Sequence, residues 1–159
     1  MTDDRPRLRE LLERLVEAEI DFVLVGGLAV NAWGYLRATR DVDIVPDPDP
    51  GNLARLAALL ESLDGRVETR DGTLAASAIP LFLKAGDRAL VSTEIGEVDV
   101  LRGHPQVPSF AALAEDAQEV EIEGLRVRVC SLEALLEMKR ASERPRDRDD
   151  VAALEAARP

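Results

Sequence analysis

Apolar positions first recur at helical spacing: Leu8, Leu11, Leu12, Leu15 and Val16 share one stripe, with Arg, Glu and Ala filling the other faces. The pattern predicts an amphipathic helix from about Pro6 to Glu19. Phe22-Val23-Leu24-Val25 is a short apolar run bounded by Asp21 and by Gly26-Gly27, and it reads as a buried strand. A second helix is expected from Leu28 to Tyr35, stopping near Gly34. Asp41-Val42-Asp43-Ile44-Val45 alternates as a strand and runs into the rigid Pro46 to Pro50 loop. There Asp49 is placed to cap a helix that has Pro50 in its first position and Leu53, Leu56, Leu60 and Leu63 on its inner face.

From Gly65 to Ser92 the periodicity weakens, because Gly72, Pro80 and Gly86 interrupt short apolar pieces such as Ile79 to Leu83. One or two strands are expected in that stretch. Glu97 to Leu101 alternates again as a strand, between Gly96 and Gly103, and a short helix is expected at Phe110 to Ala114. Glu119 to Ile122 and Leu125 to Cys130 flank Glu123-Gly124 as a hairpin. Ser131 then caps a helix carrying Leu132, Leu135 and Leu136, and a last helix runs from near Arg146 to Ala157. The order of elements predicts an α/β (α+β) fold: one domain over residues 1–159, with a mixed β-sheet, helices packed against it, and C-terminal helices from about residue 131.

Composition narrows the range of functions. Apolar residues make up 46% of the 159, enough to close one core, while 31 acidic residues against 20 basic ones leave a net charge of −11. Such a balance opposes nonspecific binding of nucleic acid or of an anionic membrane surface, both of which need basic residues. A lone Cys130 excludes a disulfide framework and a lone His104 excludes a Cys/His zinc module. No run approaches the roughly 18 apolar residues of a membrane span. The start, Met1-Thr2-Asp3-Asp4, is acidic where a signal peptide would be basic, so a cytoplasmic location is expected.

The candidate chemistry lies in Asp41 and Asp43. Two residues apart on a strand, they project from the same face while Val42 and Ile44 turn into the core. Taken alone, the pair reads most simply as a solvated strand face. Asp99 changes the reading, since it alternates with Val98 and Val100 on another strand and could bring a third carboxylate to the first two. Three acids held together favour a hard divalent cation with oxygen ligands. Gly26-Gly27 lies where a strand turns into a helix, a place where backbone N–H groups favour an anion such as phosphate. Lys139 follows Leu132, Leu135 and Leu136 by seven, four and three residues, so it falls on their core-facing stripe. The plain alternative is an aliphatic stem lying on apolar surface with its ammonium in water.

Val25-Gly26-Gly27, thirteen residues and then Asp41-Val42-Asp43-Ile44 resembles the nucleotidyltransferase signature of the DNA polymerase β superfamily. Arg37-Ala38-Thr39-Arg40-Asp41 resembles the approach to that signature in small bacterial members, among them lincosamide-type transferases and abortive-infection toxins. Lys139 followed by Arg144-Pro145-Arg146-Asp147-Arg148-Asp149-Asp150-Val151 is similar to a second block of those proteins, with Arg146 in place of a lysine. The resemblance implies transfer of a nucleoside monophosphate from an NTP, with Asp41, Asp43 and Asp99 as ligands of one or two Mg²⁺ ions. It further implies catalytic roles for those three acids and Lys139, and nucleotide contacts from Gly26, Gly27, Arg37, Thr39, Lys139, Asp147 and Asp150.

The acceptor implied is a protein, an RNA or a small molecule, and a toxin role within a toxin–antitoxin pair is consistent with it. A noncatalytic partner that keeps the fold is the alternative. A protein partner or a second copy of the chain also fits. Basic residues outnumber acidic ones only from Lys139 onward, so a small polyanion bound with metal is favoured over long nucleic acid, which stays open as an acceptor. Asp99 is a candidate general base, although ligand and base roles compete for the same lone pairs. Trp33 and Tyr35 read as packing residues first and as base-stacking residues second. The Gly65 to Ser92 stretch and the hairpin match nothing in the family and are expected to choose the substrate.

Overall fold

Residues 7–86 and 88–158 are described by the structure, a computed structural model. The expected helix start at Pro6 and the acidic residues at the N-terminus lie outside them. The first apolar stripe forms α1 (Leu8–Glu17), which buries Leu11, Leu12 and Leu15. All four residues of β1 (Phe22–Val25) are buried, as expected for a strand covered on both faces. Helix α2 (Gly26–Ala32) begins at the glycines themselves, two residues before the expected start. It also stops earlier than expected, with Trp33 as its C-cap and Gly34 in a positive-φ conformation.

Strand β2 (Asp41–Pro46) alternates as expected: Asp41 and Asp43 are half-buried, while Val42 and Ile44 are fully enclosed. Helix α3 (Pro50–Ser62) is capped as the sequence predicts, the Asp49 side chain accepting from the Asn52 N–H at 3.1 Å. Asn52 is buried and ties three segments together. Its side-chain amide donates to the carbonyls of Asp21 and Asp47, each at 2.9 Å, and its carbonyl accepts from the Asp21 N–H at 2.8 Å.

The stretch from Gly65 to Ser92 is richer than its weak periodicity suggests. It holds β3 (Arg66–Thr69), β4 (Gly72–Leu74), a short 3-10 turn, helix α4 (Ile79–Ala85) and β5 (Arg88–Thr93). Pro80 reads in sequence as a breaker, but it sits in the first turn of α4, where a missing N–H costs nothing. Gly86 ends that helix in the left-handed region, φ +76°. Next come β6 (Gly96–Leu101), α5 (Phe110–Asp116), the hairpin strands β7 (Gln118–Ile122) and β8 (Leu125–Val129), α6 (Leu132–Arg140) and α7 (Pro145–Ala156).

Among the described residues, eight strands form one mixed sheet in the order β4-β3-β5-β6-β2-β1-β8-β7. β2 pairs with β6 and β1 with β8 in parallel, and the remaining neighbours are antiparallel. Helix α1 packs against β2 and β8, α2 against β1, β2 and α6, and α6 against α7. The expected α/β architecture is therefore present, with β2 and β6 adjacent near its centre.

Candidate active site

The register of β2 and β6 creates the site. Asp43 lies beside Asp99 and Val42 beside Val98, so when both valines enter the core both aspartates leave from the opposite face. Asp41, two residues back on β2, joins them. Each of the three offers a carboxylate oxygen, and the three oxygens lie within 4.8 Å of one another. Asp99 is 5% exposed. Burial, together with the charges of Asp41 and Asp99, pushes the Asp43 carboxyl up to about 7 against the opposing pull of the Gly27 N–H and Lys139. Convergent, mutually repelling oxygen donors suit a hard divalent cation, so the residues present fit Mg²⁺.

Both glycines are required by close approach. Gly26 has φ +69°, and a Cβ there would stand 1.8 Å from Asp43 Oδ2. A Cβ on Gly27 would meet Thr39 Oγ1 at 2.5 Å and Arg37 Nη1 at 3.3 Å. The backbone at the start of α2 thus passes directly over β2 and over the segment leading into it. The Gly27 N–H is hydrogen-bonded to Asp43, so it helps to orient that carboxylate.

The opposite wall is built by charged side chains from three segments. Arg37 donates from Nε and Nη2 to the two oxygens of Asp150, at 2.7 and 2.9 Å. Lys139 Nζ lies 2.8 Å from Asp147 Oδ1 and 3.1 Å from Asp150 Oδ2. Asp147 also accepts from the Ser142 hydroxyl and, at 2.9 Å, from Arg144 Nε. Burial alone would raise both α7 carboxyls, but the hydrogen bonds and charges of their cationic partners hold them below the ordinary value. Lys139 is 8% exposed and fully ion-paired, so the surface-stem reading of this lysine does not hold.

Between the two walls lies a cavity of about 580 Å³. Gly26, Gly27, Arg37, Thr39, Lys139 and Asp147 line it together with the acidic trio. Asp150, named with them from the sequence, is 0% exposed and forms no part of the lining; it reaches the cavity only through Arg37 and Lys139.

Three lining features escaped sequence reasoning. Arg88 opens β5 and donates to both oxygens of Asp99, Nε to Oδ1 at 2.9 Å and Nη2 to Oδ2 at 2.8 Å. Its signal was present in Arg88-Ala89-Leu90-Val91, where Ala89 and Val91 are buried, but it becomes legible only once β5 is known to pair with β6. His104 and Gln106 follow β6, and His104 Nδ1 accepts from the Gln106 N–H at 3.1 Å. Ser142, Glu143 and Arg144 of the α6–α7 turn complete the rim.

Among the described residues, Arg88 alone of the Gly65 to Ser92 stretch lines the cavity, and no residue of the hairpin does. Trp33 is not among the lining residues either. Its indole N–H donates to the Cys130 carbonyl at 2.9 Å, which supports the packing reading.

A family model described as "Nucleotidyl transferase of unknown function (DUF2204)" matches residues 4–158. The chain belongs to this nucleotidyl transferase family. Solved structures similar to this nucleotidyltransferase include a lincosamide antibiotic adenylyltransferase, LnuA, bound to lincomycin, with a TM-score of 0.69, 17% identity and 96% of each chain covered. ANT(2")-Ia in complex with adenylyl-2"-tobramycin is another, with a TM-score of 0.59 and 19% identity over 92% of this chain and 84% of that one. An antigenic nucleotidyltransferase-like protein from Paracoccidioides brasiliensis has a TM-score of 0.60 and 21% identity over 93% and 72%. At these identities the likeness is one of fold. A search of curated proteins gave no match. No described helix of the nucleotidyltransferase is long and apolar enough to cross a membrane.

Proposed function

We propose that this nucleotidyltransferase moves a nucleoside monophosphate from an NTP to an acceptor nucleophile within the cavity between β2, β6, α6 and α7. The observation that carries the reading is the convergence of Asp41, Asp43 and Asp99 in one cavity with Gly26, Gly27 and an ion-paired cationic wall. Asp41, Asp43 and Asp99 would hold one or two Mg²⁺ ions, which when bound neutralise phosphate charge and stabilise the attacking and leaving oxygens. Gly26 and Gly27, whose missing side chains leave room for Asp43, Thr39 and Arg37, line the nucleotide's cavity, and Arg37, Thr39 and Lys139 face the triphosphate from the lining. Asp147 and Asp150 act through Arg37 and Lys139, fixing where those charges stand.

In the reaction an acceptor oxygen bonds to the α-phosphorus, the bond to the β-phosphate bridging oxygen breaks, and pyrophosphate leaves. The oxygens of Asp99 already accept from Arg88, and His104 Nδ1 already accepts from the Gln106 N–H. Neither group is thereby well placed to take the acceptor proton, which passes to water. The acceptor is chosen by the His104 to Val107 loop and the Ser142 to Arg144 turn, which line the cavity outside the acidic trio. A hydroxyl-bearing small molecule is the acceptor class favoured, since the two antibiotic-bound neighbours share the fold.

Incubation with each NTP and Mg²⁺, read as pyrophosphate release and as mass shifts of the protein, of RNA and of aminoglycoside or lincosamide acceptors, identifies donor and acceptor together. Asp41→Asn with Asp43→Asn should lower turnover at least 100-fold. Undiminished pyrophosphate release by that variant would refute the assignment.

A further inference from the structure

Arg88 is placed to compete for the third carboxylate. It lies on β5, diagonal to Asp99 on β6: Leu90 is directly opposite Asp99, and Arg88 lies two residues before Leu90 on the same face. From there the guanidinium grips Asp99 with two prongs, Nε and Nη2. Asp99 is buried, whereas half of the Arg88 side chain remains exposed, at 51%. A buried carboxylate is thus discharged by a cation whose outer half faces the cavity that Arg88 lines.

A divalent ion at the trio needs an oxygen of Asp99, and a guanidinium already bonded to both oxygens opposes it by charge and by geometry. An anionic ligand in the same cavity reverses this balance. The exposed half of Arg88 then has phosphate oxygens within its reach, and its hold on Asp99 is shared.

We propose that Arg88 is a positioning residue that keeps divalent-ion affinity low until a nucleotide triphosphate is present, so that ion and nucleotide load together. This inference rests on the reading of the cavity as a metal–nucleotide site. By linkage, a group that resists the ion in the absence of nucleotide and yields to it in its presence makes the two ligands mutually strengthen each other's binding.

Mn²⁺ is the probe, its free fraction followed by electron paramagnetic resonance, with and without a non-hydrolysable ATP analogue. The parent should bind Mn²⁺ weakly alone and about tenfold or more tightly with the analogue, after correction for the Mn²⁺ that the analogue binds in solution. Arg88→Gln should bind Mn²⁺ alone about tenfold more tightly than the parent and lose most of the enhancement by nucleotide. Arg88→Lys, which keeps the charge without the fork, should fall between them.

With Asp99→Asn as background, Arg88→Gln should no longer tighten Mn²⁺ binding, because the contest is for that carboxylate. Circular dichroism melts confirm that each variant is folded. Arg88→Gln binding Mn²⁺ alone no better than the parent, or keeping the full enhancement by nucleotide, overturns the role of Arg88. A parent that binds Mn²⁺ in neither condition overturns the metal–nucleotide reading itself and this inference with it.

Discussion

At Gly26 a missing side chain makes room for the Asp43 carboxylate. Its φ of +69° favours glycine, and the Asp43 carboxylate occupies the space a Cβ would need, 1.8 Å away. Gly26→Ala should therefore displace Asp43, lowering stability by about 1–3 kcal/mol and abolishing metal-dependent nucleotide binding. Urea unfolding and calorimetric titration with NTP and Mg²⁺ check the two effects, and an alanine variant with full affinity would contradict the steric account. Residue spacing alone made Asp41 and Asp43 legible, because strand alternation is a local rule. The glycines were legible as a turn, but their function as a window for Asp43 was not, since the obstructing atom lies 17 positions further along the chain.

Helices α6 and α7 carry the second half of the site as an ion-pair lattice. With their folded-state pKa held below that of the unfolded chain, Asp147 and Asp150 add stability above the ordinary carboxylate range. That contribution is lost as the pH falls through their depressed folded values. The parent should thus show a steep acid limb below about pH 4. Asp150→Asn leaves Arg37 and Lys139 short of a buried partner and should cost about 3 kcal/mol near pH 7. The gap between variant and parent should close as the pH is lowered, which thermal melts from pH 7 to 3 would follow; a gap that widened in acid would reverse the assignment. The stripe Leu132, Leu135, Leu136 and Lys139 revealed an unusual lysine, and similarity to a known block pointed to Asp147 and Asp150. That these acids bind the lysine became visible only when the α6–α7 turn folded one helix back on the other.

Across the whole molecule the site rests on the most enclosed strands. β1 is buried at every residue and β2 and β6 carry the acidic trio, whereas β4 at the sheet edge is exposed throughout. Hydrogen exchange should be slowest in β1, β2 and β6 and fastest in β4, read by peptide-level mass spectrometry; equal protection of β4 and β1 would contradict this ordering. The pattern of apolar and polar residues was sufficient by itself for α1, β1, β2, α3, β6 and α6, for the cap at Asp49 and for the shared face of Asp41 and Asp43. Each depends on neighbours within a few residues, and local periodicity reports such neighbours directly. It was insufficient between Gly65 and Ser92, where short elements punctuated by Gly72, Pro80 and Gly86 take their form from β3 and β5 pairing inside the sheet. It was also silent on Arg88 and on which loops wall the cavity. Those depend on strand order, since the parallel pairing of β2 with β6 and the antiparallel pairing of β6 with β5 bring Asp43, Asp99 and Arg88 together from distant parts of the chain. Long-range pairing is set by the packing of the whole core, and no local spacing encodes it.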